Sequence, residues 1–222
     1  MKVAGVIFDC DGVLADSDEA WQAVEVEFCA RHGVDRSSLD VDTHGLSMVD
    51  SVALLMAGRP DVDLMQATTE FVDLAATLVP RRVHPRPGAR KAVAGWQRIA
   101  PVAVASNSPR VVLTAVLEAI DVADLLVGSV AADEVPFPKP APDIYFAACA
   151  RLGVDPGQTL VFEDSAAGAR AAFAAGCHVV QVEARGNARI PGSLAMVGTR
   201  HMGPALMSMC PDGSWRSPSP ST

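Results

Sequence analysis

The amino-acid sequence predicts an α/β fold, and three observations on its apolar segments lead to that prediction. Residues 3–8 form an apolar run that is typical of a buried strand. Beyond residue 85, short apolar segments alternate with helical patterns, which favours a parallel sheet covered by helices on both faces. Between these regions, residues 17–84 show helical patterns without a strong strand signal. We therefore expect a Rossmann-like parallel sheet flanked by helices, with an all-helical insertion after the first strand.

Two helices are predicted in the inserted region. Asp16 and Glu19 have the spacing of a capping box at the start of a helix over residues 17–32. Gly33 is placed to end that helix, because glycine accepts the left-handed conformation of a helix C-terminus. Residues 63–78 have the apolar spacing of an amphipathic helix.

The alternating elements follow a Pro- and Gly-rich boundary at residues 85–88. Ser108 is the expected N-cap of the second helix, with Pro109 at its first position. The predicted order is helix 88–99, strand 101–105, helix 108–120, strand 125–130, helix 142–152, strand 159–162, helix 165–175 and strand 178–182.

This order divides the chain into two units and a tail. Residues 1–16 and 85–206 are expected to form the α/β core, because the first strand is too apolar to stand alone. Residues 17–84 form the helical insertion. The segment 207–222 is rich in Ser and Pro and is expected to be disordered.

Composition excludes several classes of protein. The chain has 222 residues, half of them hydrophobic, which is enough for one sizeable core and a smaller appended unit. Its net charge of −8 argues against nucleic acid or an anionic membrane as a partner. No apolar run is long enough to span a bilayer, and Asp9 and Asp11 interrupt any signal-peptide core.

The cysteines indicate the redox environment. The sequence contains 5 of them, an odd number, and none forms a Cys-x-x-Cys pair. A disulfide framework or a zinc site is therefore not expected. Reduced thiols fit a cytoplasmic protein, which is the location that we predict.

Polar side chains follow four separate segments of the predicted core. Because the carboxyl ends of parallel strands share one edge of a sheet, we expect these side chains to converge there. They are Asp9, Asp11 and Gly12 after the first strand, Ser106 and Asn107 after the second, Lys139 in a later loop, and Glu163 with Asp164 after the strand at 159–162.

Such a group of residues has the chemistry of a site for Mg²⁺ and phosphate. Two acids as close as Asp9 and Asp11 repel each other, and a cation is the usual reason for placing them together. Mg²⁺ prefers oxygen ligands, Lys139 supplies a positive charge for phosphoryl oxygens, and Ser106 can bond the same oxygens with nearby backbone amides.

Each motif alone has a simpler interpretation. The residues 9–12 could form only a turn or a fragment of a calcium loop, although a strand rather than a helix precedes them. Glu163 and Asp164 could begin a solvated helix, Lys139 could lie on the surface, and Ser106 could be a helix cap. Their occurrence together, each after an apolar segment, favours the functional interpretation.

In this combination the sequence resembles the haloacid dehalogenase superfamily, over residues 1–200. The first motif of that family, Asp-x-Asp-Gly-Val/Thr, matches residues 9–13. Its second motif, a Ser or Thr, matches Ser106, its lysine matches Lys139, and its acidic pair matches residues 163–164. The sequence is most similar to the phosphatase and beta-phosphoglucomutase-like branch, in which the helical insertion is an α-helical cap domain.

The resemblance implies a role for each core residue. Asp9 would be the nucleophile that forms an aspartyl-phosphate, and Asp11 would be the general acid and then the base. Mg²⁺ would be held by the Asp9 carboxylate, the backbone carbonyl of Asp11 and Asp164, with Glu163 in support. Gly12, Ser106, Asn107 and Lys139 would bind the phosphate.

The cap would select a small phosphorylated substrate, and its contacts are expected to include Glu19, Gly45 and Ser47. His44 and His84 fall in the proposed cap and its hinge, where a role in substrate binding is a secondary possibility. We expect Trp21 to serve packing more than substrate binding, and we expect a monomer or a weak homodimer.

The reaction that the resemblance favours is hydrolysis of a phosphomonoester. A sugar-phosphate mutase is the alternative, but Trp21 stands where such mutases carry a His, Met48 replaces an Arg, and residues 73–77 lack the cap lysine. A non-catalytic phosphate-binding domain is less favoured, because binding alone needs neither a nucleophile nor an acid. Phosphoglycolate, a sugar or polyol phosphate, and a nucleotide remain open as substrates.

Overall fold

The structure is a computed structural model that describes residues 3–183 and 189–205. The strands are β1 (Gly5–Phe8), β2 (Ala15–Asp16), β3 (His84–Pro85), β4 (Val102–Ser106), β5 (Gly128–Ala131), β6 (Thr159–Glu163), β7 (His178–Val182) and β8 (Ala195–Val197). The α-helices are α1 (Asp18–Arg31), α2 (Met48–Leu55), α3 (Leu64–Arg82), α4 (Ala89–Gln97), α5 (Arg110–Ala119), α6 (Asp143–Leu152) and α7 (Ala166–Ala174).

Six strands form one parallel sheet in the order β5-β4-β1-β6-β7-β8, which confirms the predicted fold class. The chain moves outward from β1 through β4 to β5 and then returns to β6 on the other side of β1. This reversal creates a crevice at the carboxyl end of β1, which is where open α/β sheets bind their ligands.

The buried faces of the central strands form two apolar layers. Val6 and Phe8 of β1 belong to one layer, and Ile7 belongs to the other, as the two-residue period of a strand requires. Phe8 stacks on Phe162 of β6 with ring centroids 4.7 Å apart, and Trp96 packs on Phe162 at 6.0 Å. These contacts hold the two strands that deliver acidic residues to the carboxyl edge.

Residues 17–83, which we call the helical segment, contain α1, α2 and α3. The two stretches that connect this segment to the sheet, β2 and β3, pair with each other in antiparallel fashion, Ala15 with Pro85 and Asp16 with His84. Within the segment, α3 packs against α1 and α2, and it also contacts α5 of the core. The division of the chain at residues 17–84 into a separate cap domain stays a prediction.

Several boundaries differ from the sequence prediction. The strand predicted at residues 125–130 is β5, which begins at Gly128. It starts later than predicted because residues 123–125 form a turn of 3-10 helix. Helix α5 begins at Arg110 with Pro109 as its N-cap, so the prediction of Ser108 as the N-cap was wrong. The hydroxyl of Ser108 bonds Asp11 instead.

Helix α2 and the strands β2, β3 and β8 were absent from the prediction. Helix α2 has 8 residues, β2 and β3 have 2 each and β8 has 3, so none of them gives a full periodic pattern. The predicted disordered tail at 207–222 lies outside the described residues. No helix in the described part of the chain combines the length and the apolar character that a membrane span requires.

Helix α7 approaches the end of β6 at a glycine. A Cβ atom added at Gly168 would lie 1.5 Å from Oε1 of Glu163, inside any permitted contact distance. Glu163 is fully buried at the last position of β6. The helix can start so close to the sheet edge only because position 168 has no side chain.

We therefore predict that Gly168→Ala lowers the free energy of unfolding by about 1–3 kcal/mol, the usual effect of overpacking a buried site. Urea unfolding followed by circular dichroism measures this change.

Gly157→Ala is the matched control, because no atom lies within 4 Å of a Cβ atom added there. Its free energy of unfolding should stay within about 1 kcal/mol of the wild type. Equal losses in the two variants would contradict the close contact between α7 and Glu163.

Candidate active site

The predicted core residues meet in a cavity of about 350 Å³ at the carboxyl edge of the sheet. One wall is formed by the ends of β1, β4 and β6 and by the loop before α6. The opposite wall is formed by the helical segment. Six of the predicted residues line the core wall: Asp9, Asp11, Ser106, Asn107, Lys139 and Asp164.

Lys139 joins two of the carboxylates. Its Nζ atom donates to Oδ1 of Asp9 at 2.7 Å and to Oε1 of Glu163 at 2.7 Å. All three side chains are buried, and Lys139 is only 4% exposed. The lysine thus fixes the direction of the Asp9 carboxylate and compensates part of its charge.

Glu163 lies behind this contact and acts as an anchor. Its Oε1 atom also accepts a hydrogen bond from the hydroxyl of Tyr145 at 3.2 Å. Its Oε2 atom accepts from the backbone N–H of Ser165 at 2.8 Å and from the Ser165 hydroxyl at 3.0 Å. Both oxygens are therefore occupied by protein donors, which suits a positioning role better than direct metal ligation.

The electrostatics of Asp9 and Lys139 follow from their burial. Burial raises the pKa of Asp9 well above its ordinary value, and neighbouring Glu163 and Asp164 add to the rise while Lys139 opposes it. Burial by itself lowers the pKa of Lys139, but the charges of Asp9 and Glu163 outweigh it and hold that pKa well above its ordinary value. The lysine is therefore protonated at neutral pH.

Asp11 is held by donors from both walls of the cavity. Its Oδ1 atom accepts from the Ser17 hydroxyl at 2.6 Å and from the indole N–H of Trp21 at 2.8 Å. Its Oδ2 atom accepts from the Ser108 hydroxyl at 3.1 Å and lies 3.5 Å from the Ser106 hydroxyl. These contacts fix the second carboxylate in the cavity, two residues beyond Asp9.

Gly12 permits a close approach between two motifs. Its φ angle is +78°, and a Cβ atom at this position would lie 2.0 Å from Oδ2 of Asp164. A side chain would therefore push the Asp164 carboxylate away from the end of β1. Glycine at position 12 is required by both the backbone conformation and the space.

Asn107 organises the backbone around the lysine. Its Oδ1 atom accepts from the backbone N–H of Lys139 at 2.9 Å, and its Nδ2 atom donates to the backbone carbonyl of Lys139 at 3.0 Å. The same Nδ2 atom donates to the carbonyl of Gly45 at 3.0 Å. The side-chain amide of Asn107 thus connects the lysine loop to the helical segment, and its role in phosphate binding stays a prediction.

The predicted residues of the helical segment divide into two groups. Glu19 and Gly45 line the cavity, whereas Ser47 does not. The Ser47 hydroxyl accepts from the backbone N–H of Asp50 at 3.2 Å as the N-cap of α2. His44 also lines the cavity, and its Nε2 atom lies 3.4 Å from Oδ2 of Asp164.

The arrangement fits a divalent cation. Asp9, Glu163 and Asp164 each offer a carboxylate oxygen, and these atoms lie within 4.8 Å of one another. All the donors are hard oxygen ligands, which suit Mg²⁺. Because the oxygens of Glu163 are bonded to other groups, Asp9 and Asp164 are the side chains best placed to hold the ion.

The sequence patterns do not predict the side-chain contacts of five residues that complete the site. The patterns give no such contact for Ser17, Tyr145 or Ser165, they indicate packing for Trp21, and they indicate a helix cap for Ser108. Ser17 and Trp21 belong to the start of α1, where a cap serine and an aromatic residue are common without function. Tyr145 and Ser165 lie close in sequence to Lys139 and Asp164, which was the only available signal.

Comparison with known proteins places this geometry in a family. A sequence model of the haloacid dehalogenase-like hydrolases matches residues 3–176. The chain is 34% identical over 188 residues to hexitol phosphatase B of Escherichia coli, which covers 82% of this chain and 85% of that protein. It is 29% identical over 188 residues to fructose-1-phosphate phosphatase YqaB of Escherichia coli, and the match covers 82% of this chain and 97% of that protein.

Further similarity is found in a phosphatase and in solved structures. The chain is 30% identical over 193 residues to validoxylamine A 7'-phosphate phosphatase of Streptomyces hygroscopicus subsp. limoneus, with 81% and 84% covered. The crystal structure of CbbY from Rhodobacter sphaeroides in complex with phosphate has a TM-score of 0.73 and 26% identity, with 91% and 98% covered. A beta-phosphoglucomutase from Clostridium difficile has a TM-score of 0.77 at 19% identity, with 93% and 96% covered, and shows the fold alone.

These findings confirm the resemblance that the four motifs carry. The family match spans every strand from β1 to β6 and all the core residues described above. The relatives cover most of this chain, and this chain covers most of each relative. The chain belongs to the haloacid dehalogenase-like hydrolases.

Proposed function

We propose that this chain is a Mg²⁺-dependent phosphatase that hydrolyses a small phosphomonoester through an aspartyl-phosphate on Asp9. The proposal depends on one observation: the carboxylates of Asp9 and Asp11 line the same cavity, and each is held in a fixed direction by hydrogen bonds. Asp9 is directed by Lys139 at 2.7 Å, and Asp11 is directed by Ser17 at 2.6 Å. Two acids with different partners can perform different roles, one as nucleophile and one as proton donor.

Asp9 and Asp164 would hold the metal, together with the backbone carbonyl of Asp11. When bound, Mg²⁺ would neutralise the negative charge of the phosphate and orient it towards Asp9. Gly12 supports this assignment, because its lack of a side chain lets Asp164 approach the end of β1. Glu163 would support the site by holding Lys139 and Ser165 in place.

The first chemical step forms the covalent intermediate. A carboxylate oxygen of Asp9 attacks phosphorus, a new P–O bond forms, and the bond between phosphorus and the ester oxygen breaks. As the general acid, Asp11 would give a proton to the departing oxygen, so the dephosphorylated product leaves as a neutral alcohol. The positive charge of Lys139 offsets the charge that the phosphoryl group brings to Asp9.

The second step restores the enzyme. Asp11, now a carboxylate, takes a proton from a water molecule that attacks phosphorus, and the bond to Asp9 breaks to release phosphate. The hydrogen bonds from Ser17, Trp21 and Ser108 orient Asp11 for both proton transfers. The Ser106 hydroxyl, at the end of β4, would contact phosphoryl oxygens.

The helical segment would act as the cap that excludes water and selects the substrate. Relatives named for hexitol phosphates, fructose 1-phosphate and validoxylamine A 7'-phosphate support a sugar or polyol ester. A cytoplasmic location agrees with four buried free cysteines, at positions 10, 29, 149 and 177, while Cys210 lies outside the described residues. A monomer or weak homodimer stays a prediction.

Asp9→Asn tests the nucleophile. The amide keeps the shape of the carboxylate but does not attack phosphorus, so phosphate release from sugar phosphates should fall by roughly 10³-fold or more. Inorganic phosphate is measured with Mg²⁺ present, beside an assay for interconversion of glucose 1-phosphate and glucose 6-phosphate.

Two outcomes would oppose the proposal in different ways. Phosphate release that survives Asp9→Asn would exclude Asp9 as the nucleophile. Interconversion of the glucose phosphates by the wild type, without phosphate release, would favour the mutase instead.

Metal removal tests the cation. Treatment with a chelator should abolish phosphate release, and added Mg²⁺ should restore it. Asp164→Asn removes one ligand charge and should raise the Mg²⁺ concentration for half-maximal activity by at least about tenfold. Asp73→Asn, on the exposed surface of α3, is the control and should leave that concentration unchanged. Full activity in the chelator would exclude the metal.

Asp11→Asn tests the proton donor through the leaving group. An aryl ester such as p-nitrophenyl phosphate releases a stable anion and needs no proton, whereas a sugar alkoxide needs one. With this variant, rapid mixing should show about one equivalent of p-nitrophenolate released per enzyme, followed by slow turnover. The sugar ester should show no burst of released sugar alcohol. Bursts of equal rate, p-nitrophenolate from one ester and sugar alcohol from the other, would contradict the role of Asp11.

A further inference from the structure

A second group of polar side chains lies in the cavity, on the wall opposite the reacting carboxylates. Glu25 of α1 is 7% exposed, and its Oε2 atom accepts from Nε of Arg36 at 2.6 Å. Its Oε1 atom accepts from the Thr43 hydroxyl. We call these three residues the Glu25 cluster, and all three line the cavity.

Within this cluster all three nitrogens of the arginine donate a hydrogen bond. Besides the bond from Nε to Glu25, one terminal nitrogen of Arg36 donates to the carbonyl of Leu39 at 3.2 Å. The other terminal nitrogen donates to the carbonyl of Val41 at 3.1 Å. Three of the five N–H groups of the guanidinium are therefore bonded inside the helical segment, and Glu25 already compensates its positive charge, so a substrate anion gains less from pairing with Arg36.

The wall that the helical segment presents to the cavity is negatively charged. Among the described lining residues it contributes four carboxylates and one arginine, and it contributes no lysine. Apart from His44, which pairs with Asp164 of the other wall, one positive and four negative charges give −3. The carboxylates are those of Asp18, Glu19, Glu25 and Asp42.

From this geometry we infer that Glu25 determines specificity by occupying the single arginine of this wall, so that the cavity rejects a substrate with a second anionic group. The part of the substrate beyond the phosphate is then an uncharged, hydroxyl-bearing chain or ring. This inference rests on the proposed phosphatase function, and it narrows the substrates to sugar and polyol monophosphates. Phosphoglycolate and bisphosphates are excluded.

A second anionic group is rejected because the wall offers no free positive charge to compensate it. A second carboxylate or phosphate would lose water on entering the cavity and would meet like charges instead of a free cation. Hydroxyl groups meet no such opposition, because carboxylate oxygens and neutral side chains such as Gln22 and Ser51 accept their hydrogen bonds. Specificity of this kind comes from repulsion of the wrong substrate as much as from attraction of the right one.

Matched pairs of esters test the inference on the wild-type protein. Glucitol 6-phosphate and 6-phosphogluconate differ in one end group, a neutral CH₂OH against a carboxylate. Fructose 1-phosphate and fructose 1,6-bisphosphate differ in a second phosphate. In each pair we expect kcat/KM for the ester with the additional charge to be lower by at least about tenfold.

Glu25→Gln tests the role of the cluster. The amide retains an oxygen for Thr43 but removes the charge that occupies Arg36, so the arginine becomes able to pair with a second anion. In each pair, kcat/KM for the ester with the additional charge is divided by kcat/KM for its partner. We expect this ratio to rise by at least about fivefold in the variant. Because both esters are measured on one sample, any loss of folded enzyme cancels from the ratio.

Glu27→Gln is the matched control on the same helix. Glu27 pairs with Arg31 at 2.9 Å, both side chains are about half exposed, and neither lines the cavity. The same loss of one negative charge from α1 should leave the ratio unchanged.

The outcomes separate this inference from the proposed function. No phosphate release from any of the four esters with Mg²⁺ present would overturn the proposed function. Release with equal kcat/KM within each pair would overturn the specificity inference alone. A ratio that does not change in Glu25→Gln, or that changes equally in Glu27→Gln, would overturn the role of Glu25.

Discussion

The bond network of one buried lysine determines how the rest of the site is arranged. Lys139 bridges Asp9 and Glu163, residues that lie 130 and 24 positions away in the sequence. Removal of one partner from a buried ion pair typically costs about 3–5 kcal/mol, because a charge is left without compensation. The three motifs that supply these residues are therefore interdependent. Each buried charge is compensated only when the sheet has brought the other two residues to the same edge.

That bridge imposes constraints on residues that never contact a substrate. Asn107 bonds the backbone of Lys139 on both its N–H and its carbonyl, so the lysine loop has one position relative to β4. Tyr145 and Ser165 complete the bonds to Glu163. Gly168 leaves the space in which Glu163 lies. A buried charge network thus extends its requirements through hydrogen bonds to the first turn of a neighbouring helix.

The sequence allowed the core of the site to be predicted but not its completion. Asp9, Ser106 and Asp164 follow apolar strands, and the parallel topology brings such strand ends to one edge. The contacts of Trp21 and Ser17 with Asp11 depend on where α1 lies relative to the sheet, which long-range packing decides and local periodicity does not report. Ser108 had the pattern of a helix cap, yet tertiary contact directs its hydroxyl to Asp11.

The pairing of β2 with β3 has a consequence for the history of such a chain. The polypeptide enters the helical segment through β2 and leaves it through β3, and Ala15 and Pro85 are direct partners in this short ladder, which is separate from the six-stranded sheet. The ends of the helical segment are thus already closed by the core, and the entropy of closing a loop grows only slowly with its length. Segments of different size and sequence can be exchanged between these two points while every strand of the sheet keeps its path. Substrate recognition can then diverge between these two points, provided that the start of α1 keeps Ser17 and Trp21, the donors that hold Asp11.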